Sequence, residues 1–100
     1  MAEFWWSSWV PTVAPYALLI RLFVDGGLTA DEFEVIFLRL YKVDPTEWPA
    51  DLFDVLDGLF ADVDEYSPDE SLRMETGGLD ASQLRERAAA ALGRLETLAG

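Results

Sequence analysis

Trp48-Pro49-Ala50-Asp51-Leu52-Phe53-Asp54-Val55-Leu56-Asp57-Gly58-Leu59-Phe60-Ala61-Asp62-Val63-Asp64-Glu65 is the stretch whose reading decides the fold. Wound at the helical angle, near 100° per residue, it sorts into two faces. Leu52, Phe53, Val55, Leu56, Leu59, Phe60 and Val63 fall on one side, and Asp51, Asp54, Asp57, Asp62, Asp64 and Glu65 fall on the other. The pattern predicts an amphipathic helix with a wide apolar face and a one-signed acidic face. No Lys or Arg interrupts it. Like charges three and four residues apart repel by a few tenths of a kcal/mol per pair. A helix this short is therefore held by packing on its apolar side, and the rest of the chain is expected to supply that packing.

The composition agrees. At 100 residues the chain is one domain, or a small domain with a tail. An apolar content of 51% predicts a folded core despite a net charge of −12. That charge argues against nucleic acid and anionic membranes as partners and favours a cationic one. There is no Cys and no His. Disulfide and thiol chemistry are thereby excluded, and the usual acid–base residue near neutral pH is missing. Phe4 to Ile20 is uncharged, but it is 17 residues long and broken by Ser7, Ser8, Pro11, Thr12 and Pro15. A membrane span needs about 20 mostly apolar residues. Glu3 stands where a secretory signal would carry positive charge.

Outward from the acidic helix, the elements follow from caps and stripes. Residues 1–15 read as a Trp-rich N-terminal extension ahead of a helical domain at 16–100. Trp5, Trp6 and Trp9 either cover an end of the core or form an aromatic contact surface for a partner or a second copy. A first helix runs from about Tyr16 to Asp25, with Pro15 in its first turn and Leu18, Leu22 and Phe23 as the expected buried stripe. Gly26-Gly27 ends it. A second helix opens on a capping box, Thr29 with Glu32, and on a Leu28/Phe33 staple. Its stripe is Phe33, Ile36, Phe37, Leu40 and Tyr41, and Asp44-Pro45 turns the chain.

The acidic helix then starts at Glu47 or Ala50. Tyr66-Ser67-Pro68-Asp69 stops it, and Met74 to Gly78 reads as a loop. From Asp51 to Glu75 there are nine acids and one base, Arg73, so Asp69 and Glu70 extend the acidic field. A last helix repeats the start signal with Asp80, Gln83 and a Leu79/Leu84 staple, and buries Leu84, Ala88, Ala91, Leu92, Leu95 and Leu98. The expected fold is all-α, a small antiparallel four-helix bundle behind the Trp-rich extension.

Catalysis finds no support. The carboxylates are spread along an exposed face, with no apolar pocket to raise a pKa. The Asp57-Gly58 pair fails as a calcium loop because Phe53 and Val55 fall at ligand positions. Ser67, Thr76 and Ser82 have no base nearby in sequence. No metal or cofactor is expected. A one-signed acidic face speeds association with an opposite charge and rejects other acids, and its carboxylates can take the place of phosphates on Arg and Lys. A groove built to hold RNA is such a surface. The residues alone predict a binder of a basic protein. The alternative is a structural or regulatory helical module that self-associates through Trp5, Trp6 and Trp9, with the acids serving solubility.

Four blocks carry a family resemblance. They are Gly27-Leu28-Thr29-Ala30-Asp31-Glu32-Phe33, Leu38-Arg39-Leu40-Tyr41, the run from Leu52 to Asp69, and Leu79-Asp80-Ala81-Ser82-Gln83-Leu84-Arg85. In their order and spacing the chain resembles the colicin D immunity-protein family, also described as bacterial self-protective colicin-like immunity proteins. The resemblance covers about Leu18 to Leu98. It implies a small four-helix protein in the cytoplasm of a toxin-producing bacterium, bound to the basic nuclease domain of its own toxin. The founding example blocks a ribonuclease that cuts tRNA anticodons, its acidic surface filling the groove meant for RNA. Carried over, Asp54, Asp57, Asp62, Asp64 and Glu65, with Asp51 beside them and Asp69 and Glu70 at the edge, would be the toxin-binding surface. The chain departs from the family pattern in its Trp-rich first fifteen residues.

Overall fold

The computed structural model describes residues 13–99. They form five helices, α1 (Ala14–Val24), α2 (Ala30–Val43), α3 (Ala50–Glu65), α4 (Glu70–Thr76) and α5 (Ala81–Ala99). The expected count of four is corrected by α4, which begins directly after the expected stop at Asp69 and runs into the expected loop as far as Thr76. Trp5, Trp6 and Trp9 of the expected extension lie outside the described residues, among which Trp48 is the only tryptophan.

Each boundary has a local cause. In α1 Pro15 sits in the first turn, and Gly26, with φ +88°, takes the left-handed conformation that ends the helix. The α2 capping box is complete: the Glu32 amide donates to Thr29 Oγ1 at 3.1 Å and the Thr29 amide to Glu32 Oε1 at 2.9 Å. Asp80 and Gln83 do the same for α5, at 3.0 and 2.7 Å. By contrast α3 opens on Pro49 with no side-chain cap and has no base in its last turn. Asp62, Asp64 and Glu65 stand at that end, where the helix dipole disfavours negative charge. Its hold on the molecule is its inner face, where Val55, Leu56, Leu59 and Val63 are buried.

The helix α5 packs on α1 and α3, while α2 packs on α1 and α3 and meets α5 more lightly. A line of aromatic rings crosses the core between them. Phe23 of α1 stacks on Phe33 at 4.4 Å between centroids, and Phe37 lies 5.7 Å from both Phe33 and Tyr41. Tyr41 then reaches Phe60 of α3 at 5.4 Å. Tyr16 meets Phe37, Tyr41 and Trp48 edge-on. This geometry keeps Phe23 of the expected α1 stripe but overturns Leu18 and Leu22. Tyr16, Leu19, Ile20 and Phe23 are buried, whereas Leu18 is 59% and Leu22 47% exposed. Only one residue of α1, Arg21, is charged, so periodicity had little polar contrast with which to choose a face. In α2 Phe33 and Phe37 are buried as expected, while Ile36 is 42% exposed. No helix among the described residues is long and apolar enough to cross a membrane.

α4 hangs from the end of α3. Asp69 caps it by accepting the Ser71 and Leu72 amides. Gly77, with φ +74°, closes it. The chain then returns beside α3 in a short parallel bridge, the Leu79 amide donating to Glu65 O at 2.9 Å and the Ser67 amide to Leu79 O at 3.0 Å. Gly78 permits that approach, since a Cβ there would lie 2.6 Å from Glu65 O.

Two stability predictions follow from this packing. Phe33→Ala, in the middle of the ring line, should cost about 3–5 kcal/mol in urea unfolding. Gly78→Ala should cost about 1–3 kcal/mol by forcing the bridge apart, and faster amide exchange at Ser67 and Leu79 would locate the damage there.

Candidate functional site

The outer face of α3 is where the sequence concentrates negative charge, and the fold leaves it open. Asp51, Asp54, Asp57, Asp64 and Glu65 are all exposed, as are Asp69 and Glu70 beyond the helix. Asp62 alone of the eight is partly buried. The helix angle spreads the acids over both flanks. Asp62 turns toward α5 and bonds Arg87 Nη1 at 3.0 Å, the only ion pair any of the eight makes among the described residues. Asp57 turns toward α2, where it meets the Tyr41 hydroxyl at a long 3.5 Å.

Two of the acids are already engaged in holding backbone. Asp51 accepts the Leu52 amide at 2.9 Å, and Asp69 serves as the cap of α4. Asp54, Asp64, Glu65 and Glu70 make no side-chain hydrogen bond or ion pair to another described residue. Of the eight, these four keep their hydrogen-bonding capacity uncommitted among the described residues.

The structure also extends the acidic surface across the seam onto α2, which the sequence reading did not include. Burial raises the Glu34 carboxyl above its ordinary value of 4.5, and the neighbouring Asp31 and Asp64 charges push it further up. Asp31 in turn accepts the Tyr66 hydroxyl at 2.7 Å. Burial, with that bond to Asp31, lifts the Tyr66 phenol to about 12. The available signal was the acid triplet Asp31, Glu32 and Glu34 in the opening turns of α2, which reads equally well as ordinary N-terminal charge.

At the far end of α2, Asp44 gathers three donors. The Tyr16 hydroxyl lies at 2.7 Å, Trp48 Nε1 at 3.2 Å and the Thr46 amide at 2.9 Å. Burial alone would raise Asp44, but these bonds outweigh it and hold the carboxyl below its ordinary value. Asp44 thus joins the loop after α2 to α1 and serves the fold.

Phe53 departs from its expected place. The helical wheel groups it with the apolar side, yet it is 45% exposed, and it shares the flank of Asp57, one turn on. Gly58 has open space where a side chain would stand. Besides Arg87, Arg94 approaches the acids, lining a cleft with Asp51 and Asp54. Arg21 pairs with Glu96 at 2.7 Å, and Arg85 donates to Phe23 O while its guanidinium sits 4.8 Å above the Phe23 ring. No group of three or more acids among the described residues is arranged to hold a metal ion. What the arrangement can do chemically is receive cationic side chains along a ridge of carboxylates reaching from α3 onto α2.

The crowding has a pH signature. For Asp62 burial raises the carboxyl, the Arg87 charge pulls it down and Glu65 pushes it up, with burial prevailing. Glu34 and Asp62 therefore bind a proton more readily folded than unfolded. The stability they add is complete below their ordinary values, 4.5 and 3.8, and is lost as pH rises through the raised folded values. Asp44 has the opposite sign, and its contribution disappears only as pH falls below the ordinary carboxylate range. The melting temperature should thus decline as pH rises from the ordinary carboxylate values through the raised folded ones. Glu34→Gln should raise it at neutral pH and flatten the decline, as thermal melts across that range would record.

The family model described as bacterial self-protective colicin-like immunity matches residues 12–95 of the chain. No curated protein matches it.

Proposed function

Because the chain belongs to the bacterial self-protective colicin-like immunity family, we propose that it silences its toxin by laying the outer face of α3 over the active site of a cationic ribonuclease domain. At the level of the family, its role is to neutralise a cognate toxin by binding, and it is not an enzyme. The finer reading adds three statements: the toxin domain is a basic ribonuclease, with tRNA among its candidate substrates; its RNA groove is what the acids fill; and the encounter takes place in the cytoplasm of the producing cell.

The observation that carries this reading is the state of α3. The helix keeps acids along its whole outer face and at its C-terminal end, against both mutual repulsion and the dipole. Asp54, Asp64 and Glu65 make no side-chain hydrogen bond or ion pair among the described residues to offset that cost. A solubilising surface would mix signs and avoid the repulsion. A ridge of free carboxylates instead gains when a phosphate-binding surface neutralises it.

The roles of the eight acids then differ. Asp54, Asp57, Asp64 and Glu65 are assigned to the toxin, with Asp51 and Glu70 at the ends. Asp62 is shared with Arg87, and Asp69 supports the surface by capping α4. Asp31 and Glu34 join the ridge from α2.

Charge reversal tests the assignment. Asp54→Lys with Asp64→Lys should weaken binding to the toxin domain encoded beside this gene by about 2–5 kcal/mol, slow association, and reduce the salt dependence. The same pair should leave the melting temperature equal or higher, since repulsion is relieved. Affinity unchanged at low salt would remove the acidic face from the mechanism.

A further inference from the structure

α4 has no evident purpose in the fold. It is seven residues long, buries no side chain, and packs against no other helix among the described residues. A free helix of that length is unstable in water. Its ends are nonetheless secured: Asp69 caps it, Arg73 Nη1 donates to Ser67 O at 2.7 Å, and the Gly77 amide closes on Arg73 O at 2.8 Å. A plain turn could join Tyr66 to Leu79, which the bridge already holds side by side. What the helix does instead is hold two large apolar side chains out in solvent, Leu72 at 45% and Met74 at 82% exposure.

Leu72 has a defined setting. It lines a cleft of about 290 Å³ with Asp64 and Glu65 of α3, together with Tyr66, Ser67 and Thr76. One wall offers exposed carboxylates and the other an apolar side chain. A lysine or arginine fits such a cleft in both of its parts, with the aliphatic stem against Leu72 and the charged head at Asp64 and Glu65. The cleft opens at the C-terminal end of α3, so it continues the acidic face without a break.

We infer that α4 is a second contact element of the toxin interface, with Leu72 packing against the stem of a partner cation held by Asp64 and Glu65 and Met74 covering apolar surface beside it. This rests on the acidic-face reading and deepens it. Charges govern the rate and selectivity of encounter, whereas desolvated apolar anchors govern how long a complex lasts. Methionine suits the position because its unbranched, polarisable side chain adapts to a partner's shape.

The experiment separates the two contributions. Association and dissociation rates would be measured for the toxin domain encoded beside this gene, at low and high salt, with wild type, the Asp54→Lys/Asp64→Lys pair and a Leu72→Ala/Met74→Ala pair. The apolar pair should dissociate at least about tenfold faster while keeping the association rate and salt slope of wild type. Its thermal melt should be unchanged, because neither side chain is buried. Leu72→Met, which keeps the apolar volume, should restore most of the residence time. Dissociation within about twofold of wild type would overturn the role of α4, while loss of binding in the charge-reversed pair would still uphold the acidic face. The converse result, in which charge reversal changes nothing, would overturn the acidic-face reading. Wild type that binds no toxin domain would overturn both.

Discussion

The line of rings from Phe23 through Phe33, Phe37 and Tyr41 to Phe60 is the interaction on which the rest depends. It touches three helices in succession and sets their order around α5. Aromatic side chains remove large apolar areas from water, and tilted or offset pairs gain somewhat more. In a domain of this size one such line is a substantial part of the core. Because it engages only the inner edges of the helices, the outer face of α3 contributes little to the packing beyond the Asp62–Arg87 pair and the contact of Asp57 with Tyr41. Tyr41 ends this role at the seam, where its ring is in the core and its hydroxyl reaches Asp57.

How much of this can be read from the chain depends on whether the signal is local. The capping boxes at Thr29 and Asp80 are closed within four residues, and both appear where the sequence places them. The span Ala50–Glu65 is likewise marked by its own periodicity. α1 is different, because Leu18, Leu19, Leu22 and Phe23 are all apolar and only packing against α2 and α5 selects Leu19 and Phe23 over Leu18 and Leu22. α4 is too short to show a period. Its signals are punctuation, Asp69 after Pro68 at one end and Gly77 at the other, and they lie inside a stretch that also reads as a turn.

The candidate site divides in the same way. That the surface is acidic follows from counting residues. Which acids remain free depends on pairings between residues far apart in the chain. Asp62 meets Arg87 across 25 positions, and Tyr66 meets Asp31 across 35. Neither follows from spacing. The second of these also explains why the acidic ridge crosses to α2: Tyr66 draws Asp31 toward the end of α3, beside the exposed Asp64.

The three tyrosines of the chain share one habit. Tyr16, Tyr41 and Tyr66 each turn the ring inward and offer the hydroxyl to an aspartate on a different segment, Asp44, Asp57 and Asp31. The core is thereby fastened from its margins, and the acidic surface of α3 shares in the fastening only through Asp57 and through Asp62, paired with Arg87. On the proposed reading, a protein with this division can trade residues such as Asp54, Asp64 or Glu65 one at a time as its target changes, without disturbing the interior. Recognition and architecture are free to drift at separate rates, which lets one scaffold follow a diverging adversary.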